Sequence, residues 1–299
     1  MKFIKTILII ITFSIFTNFV TGQNLQPYIL AATSDASFAE ISDAIKTNLT
    51  ESGLDVIGEY SPAKDSNRKV FVITSDELKD AVKTIGGLTG FASALRVALT
   101  DEDSIINISY TNPIYWGNAY FGDNYNEVQS NYLTVTEKIS SALFKIGEAK
   151  NIPFGTEDGL TEKSLRKYRY MFGMEKFDDV AKLNKFDSYE DAVNTIDEKL
   201  ENSENLVYSV EYPEQKLKLY GIAIGGEKGE EHFLPIIDIL TPKHTAFLPY
   251  ELLIVDKKAV MLHGRFRIAL SFPDLTMMTF SKIMSTPGDI KKDLQGYTK

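Results

Sequence analysis

Ser37-Phe-Ala-Glu40 and Ser188-Tyr-Glu-Asp191 open two segments that run through the same elements in the same order. That internal repeat limits the fold more than any other feature of the chain. After Ser37, the apolar residues Phe38, Ile41, Ile45 and Leu49 recur at helical spacing, and Gly53 ends the run. Ser37 and Glu40 stand three apart, so each can satisfy a free N–H of the first turn, as in a capping box. After Ser188, Tyr189, Val193, Ile196 and Leu200 share one face. Each helix leads to a strand with a similar ending, 56–60 before Ser61-Pro62 and 208–212 before Pro213. Apolar strands follow at 70–73 and 219–224, then helices at 76–85 and, less distinctly, between Glu230 and Leu240. Later strands are expected at 95–99 and 105–110 in the first copy, and at 251–255 and 265–272 in the second.

Tyr28 begins a first strand over 28–33, and Val128, Tyr132, Val135, Ile139, Leu143 and Ile146 form one stripe on a long closing helix. The acidic turn Thr100-Asp-Glu-Asp103 is too short for a parallel crossover, so its flanking strands pair antiparallel. Ile106, Ile108 and Tyr110 alternate with Asn107 and Ser109, which puts one sheet face under helices and leaves the other free. The expected class is α+β: two tandem two-layer modules, each an antiparallel sheet with helices on one face. The expected organisation is a signal peptide over 1–22, a first module over 23–150, a linker with a short helix over 151–187, and a second module over 188–299.

Leu95-Arg-Val-Ala-Leu-Thr-Asp-Glu-Asp103 followed by Ile106-Asn-Ile-Ser-Tyr-Thr-Asn-Pro113 resembles the closing hairpin of the domain of unknown function 302 (DUF302, TT-1751-like) family. Gly53-Leu-Asp-Val-Ile-Gly-Glu-Tyr60 and the helix before it suit the same family. The resemblance covers 28–146 and, more weakly, 186–295, with Ser271-Phe272-Pro273-Asp274 where the Ser-Tyr motif would fall. It implies a compact two-layer fold that associates in pairs, with no established activity. Duplication would place that pairing inside one chain, with a homodimer of the whole chain as a further expected association. This chain lacks the cysteine that many members carry before the hairpin.

Lys2 and Lys5 precede a short apolar run, and Val20-Thr21-Gly22 offers small residues for cleavage before Gln23. The run is too short to span a bilayer, so the expectation is export to the periplasm or the extracellular space, with no transmembrane segment in the mature chain. The absence of cysteine excludes disulfides, cysteine-ligated zinc, iron–sulfur clusters and thiol nucleophiles. A formal charge of −9 argues against a nucleic-acid partner. In this acidic chain, the basic stretch Lys163-Ser-Leu-Arg-Lys-Tyr-Arg-Tyr170 reads as a solvated helix face.

The residues offer no clear catalytic constellation. Among three histidines, only His232 sits beside acids, with Glu230, Glu231 and Asp238, and the spacing does not match a helical zinc motif. Those four residues are the candidates for a hydrolase reading. Ile224-Gly-Gly-Glu-Lys-Gly229 and Ile85-Gly-Gly-Leu-Thr-Gly90 lack the order of a phosphate-binding loop. No metal and no cofactor is expected. The unusual segment is 110–125, which holds the only Trp, four tyrosines and three asparagines. Tyr110, Asn112, Tyr115, Trp116, Tyr120 and Phe121 therefore form the candidate binding set, suited to a protein partner or a small apolar or aromatic-compatible ligand. Met277-Met278 adds an adaptable apolar surface, and Met277, Met278, Phe280, Ile283 and Met284 could instead meet lipid. The leading expectation is a non-enzymatic exported binding protein.

Overall fold

The computed structural model describes residues 24–201 and 203–299, so the expected signal peptide lies outside the described residues. The first half holds β1 (Tyr28–Ser34), α1 (Phe38–Glu51), β2 (Asp55–Tyr60), β3 (Arg68–Thr74), α2 (Asp76–Ile85), β4 (Leu95–Glu102), β5 (Ile105–Thr111), α3 (Pro113–Phe121) and α4 (Tyr125–Leu143). A further strand, β6 (Glu148–Phe154), and a single helical turn, α5 (Glu162–Leu165), precede the second half. That half holds β7 (Ala181–Lys185), α6 (Tyr189–Leu200), β8 (Leu206–Tyr212), β9 (Leu217–Ile222), α7 (Glu230–Ile237), β10 (Tyr250–Val255), β11 (Lys258–Met261), α8 (Gly264–Ser271), α9 (Met277–Ser281) and α10 (Thr286–Gly296).

The two sheets share one plan. The first runs β2-β3-β4-β5-β1-β6 and the second β8-β9-β10-β11-β7, with every pairing antiparallel. The hairpin between β4 and β5 closes on Asp103 and Ser104, both at positive φ, as a short turn demands. At α1 the capping box forms in full: Glu40 N–H donates to Ser37 Oγ at 3.3 Å, and Ser37 N–H donates to Glu40 Oε2 at 3.1 Å. Ile41, Ile45 and Leu49 bury one helix face, and Tyr110 reaches from β5 to the same side, its hydroxyl 3.3 Å from Ser140 on α4.

Three elements differ from the sequence reading. Residues 265–271 belong to the helix α8 and Phe272 follows it, so 265–272 is no strand; the strand that follows β10 is β11, and the match of Ser271 to Ser109 falls with it. Phe266, Ile268 and Leu270 alternate as a strand would, but all three are buried on the helix together with Arg267, so tertiary packing overrides the period-two signal. Strand β6 runs from the end of the expected first module into the stretch expected as a linker, and β7 lies within that stretch; they lengthen the first and second sheets respectively.

The helix-free sheet faces turn toward each other. Thr100 of β4 meets Thr245 hydroxyl to hydroxyl at 2.7 Å, and Tyr212 of β8 donates to Ser93 Oγ at 3.0 Å. At Gly58 of β2 the chain passes so close to β8 that a Cβ would lie 2.3 Å from the Val207 carbonyl oxygen, so only glycine fits.

Candidate functional site

The aromatic segment becomes α3, and its partner is the other half of the same chain. Asn112 caps this helix, accepting from Ile114 N–H at 3.1 Å and donating to the Gln26 carbonyl at 2.8 Å. Tyr115 donates to the Leu270 carbonyl on α8 at 2.8 Å, and Trp116 Nε1–H donates to the Pro27 carbonyl at 2.9 Å. Tyr120 stacks on Phe177 at 5.1 Å, while Phe121 packs edge-on against Tyr132 within the first half. Tyr110, Tyr115, Trp116, Tyr120 and Phe121 are all buried. Burial holds the Tyr120 hydroxyl up to about 12, against the nearby Arg267 that pulls it down. Tyr115, Trp116 and Tyr120 meet the second half at a seam, while Tyr110 and Phe121 pack inside the first half, and none of the five presents an open face.

Charge runs through that seam. Arg96 of β4 pairs with Glu251 of β10, and Tyr208 donates to the same carboxylate at 3.0 Å. Arg267 of α8 lies 3.8 Å from Glu251, donates to Ser271 Oγ at 2.9 Å and the Phe247 carbonyl at 2.7 Å, and sits 4.8 Å over the Trp116 ring. These contacts join corresponding positions of the two plans. Arg96 pairs across its sheet with Val72 and Glu251 with Gly221, each next to the last pair of its ladder. Trp116 and Arg267 each stand four residues past a capping side chain, Asn112 and His263, which accept from Ile114 and Arg265 N–H respectively.

The acidic cluster does not converge. Glu230 is buried, accepting from Ala63 N–H at 2.9 Å and Ile224 N–H at 3.0 Å, and desolvation raises its carboxyl to about 7. Glu231 is exposed and meets Lys64 at 3.5 Å, and His232 faces solvent. Asp238, at the far end of α7, pairs with Arg68 and accepts from His244 N–H at 2.8 Å. Two buried carboxylates with separate structural partners give no acid–base pair around a common substrate position. No group of three or more metal-binding side chains occurs among the described residues.

An open concave surface lies elsewhere. A hollow of about 230 Å³ runs between α8, α9 and the segment before β7, lined by Tyr170, Met174, Ile268, Phe272, Met277 and Phe280 among others. A second hollow of about 200 Å³ adjoins it, sharing Phe272 and Leu275 and bordered by His244 and Asp274. Of the residues that line these hollows, Leu240, Met277 and Met284 stand exposed, Met284 at 64%. Thr276 caps α9 by accepting from Thr279 N–H at 3.2 Å, which turns Met277 and Met278 outward. Of the wall, the Met277–Met284 segment carried a signal in the sequence. Tyr170, Met174 and Ile268 reach it only through tertiary folding.

No protein-family model matches the chain, and no curated protein does. Among solved structures the chain is similar to one described as "uncharacterized conserved protein DUF302 from Bacillus stearothermophilus", at 12% identity and a TM-score of 0.34. That similarity covers 39% of this chain and 98% of the other.

Proposed function

We propose that this chain is an exported, non-catalytic binding protein built by duplication of one α+β module, with the methionine-rimmed groove as its ligand site. One observation supports the site: a concave apolar hollow of about 230 Å³ whose lining leaves Met277 and Met284 in water. Solvent contact costs roughly 25 cal/mol per Å² of apolar surface, so covering this wall with an apolar ligand is favourable. Methionine side chains adapt to more than one ligand shape. Ligand pockets are characteristically apolar with a few polar groups that fix orientation, and Tyr170, Arg265 and Ser281 supply those here. The shared strand order of the two sheets and their pairing through corresponding positions support duplication. Export rests on the charged and apolar pattern of residues 1–22. No helix among the described residues is long and apolar enough to cross a membrane.

Titration with the fluorescent apolar probe N-phenyl-1-naphthylamine tests the site. Saturable enhancement is expected for the native chain and loss of it for Ala269→Trp, which fills the hollow. A native chain that gives no saturable signal would rule the groove out. Mass spectrometry of the protein secreted by a host expressing the whole reading frame tests export, with Gln23 as the expected first residue.

A further inference from the structure

Five of the six arginines in the chain have a carboxylate within 4 Å: Arg68, Arg96, Arg166, Arg265 and Arg267. Arg169 forms no ion pair among the described residues, and its Nε is buried without a hydrogen-bond partner. A buried guanidinium donor left unpaired is costly, because it has surrendered water and gained no acceptor. Arg169 lines an open hollow of about 500 Å³ that shares Tyr170 with the apolar groove and Asp274 with its neighbour. The polar wall of this hollow continues with Ser164 and Lys167. Two acids border it as well. Asp274 is engaged, accepting from Thr156 Oγ1 at 2.9 Å and Glu157 N–H at 2.7 Å, and Asp158 is exposed to solvent. Lys167 is drawn toward Asp123 at 3.7 Å.

An apolar trough that shares Tyr170 with a hollow lined by Arg169, which has no ion pair among the described residues, matches a molecule with an apolar tail and one anionic head. We propose that the groove binds a detached single-chain amphiphile of the fatty-acid type, its tail along Ile268, Phe272, Leu275 and Phe280 and its carboxylate on Arg169. This inference rests on the groove reading above and adds the headgroup. A planar guanidinium holds a carboxylate through two parallel N–H···O bonds, which an uncharged head cannot reproduce. The ligand is a detached molecule rather than a bilayer lipid, because the site is concave and a chain of formal charge −9 is repelled by anionic membrane surfaces.

Displacement of a bound dansylated undecanoic acid from the full mature chain tests this. Dodecanoate is expected to compete about tenfold better than dodecanol in the native protein. Arg169→Gln should remove that preference while dodecanol competition is retained, and Arg169→Lys should restore part of it. A purely structural role for Arg169 would weaken both competitors alike, so the ratio is the decisive readout. Equal competition by dodecanoate and dodecanol, or an unchanged ratio in Arg169→Gln, would overturn the headgroup assignment and leave the groove reading intact. If neither competes, both readings fall. Flotation with phosphatidylglycerol vesicles in a protein that binds no dodecanoate would overturn the detached amphiphile.

Discussion

Glu230 shows how a single buried carboxyl ties stability to pH. Its oxygens accept from backbone N–H groups of both halves, yet desolvation dominates and lifts the folded-state value from 4.5 to about 7. A carboxyl raised on folding takes up a proton as the chain folds. Its contribution therefore favours the folded state most below the unfolded value and is withdrawn as pH rises from 4.5 to about 7. Glu230→Gln removes the charge and keeps an acceptor for only one of the two N–H groups, a cost that does not change with pH and so leaves the pH-dependent difference intact. Relative to the native chain, the variant should gain on the order of 3 kcal/mol between pH 4.5 and 8, read as the difference between their urea midpoints across pH. A constant difference would show that Glu230 does not titrate in this range. Such properties are invisible in the sequence: Glu230 and Glu231 are adjacent identical letters, but one lies in the seam and the other in water. The same holds for the basic stretch, where Arg166 finds Glu162, Asn118 and Asn126 while Arg169 finds no carboxylate.

At the scale of elements, local chemistry was legible and long-range choice was not. The capping box at Ser37, the stripe of α4 and the acidic hairpin between β4 and β5 depend on neighbours within a few residues, and each is readable from spacing. Ser37→Ala should cost about 1 kcal/mol in chemical denaturation, because it leaves the Glu40 N–H without its acceptor. The helix α8 depends on what surrounds it, and β6 and β7 lie in a stretch whose Pro153, Gly155 and Gly159 signalled a loop. Glycines inside strands do report long-range contact, without naming the partner. At Gly221 of β9 a Cβ would stand 1.9 Å from the Tyr208 ring, whose hydroxyl reaches Glu251. Gly221→Ala should therefore cost about 1–3 kcal/mol, measured by urea unfolding, and more than Gly288→Ala, where a Cβ meets open space.

Across the whole molecule, the seam makes the two halves one unfolding unit. Arg96, Glu251 and Arg267 are nearly sealed from solvent, and Trp116 and Phe247 lie against the Arg267 guanidinium. Arg96→Met leaves Glu251 buried without its main counter-charge and should cost about 3–5 kcal/mol; Arg96→Met with Glu251→Leu should recover much of that loss. Calorimetry should show a single transition for the native chain, since neither sheet covers its helix-free face alone. Two separated transitions would mean that the seam does not couple them. The sequence disclosed the repeated plan that makes such pairing feasible, but Arg96 and Glu251 are 155 residues apart and only the shared strand register brings them together.

The differentiation of corresponding positions carries one more consequence. Two copies of the first half, docked in the same way, would set Arg96 against Arg96; two copies of the second would set Glu251 against Glu251. Like charges confined away from water repel strongly, so a half docked on its own twin is disfavoured against the first half docked on the second. Exchange of halves between neighbouring molecules gains nothing over closure within one. The opposite charges at Arg96 and Glu251 thus direct the first half to the second.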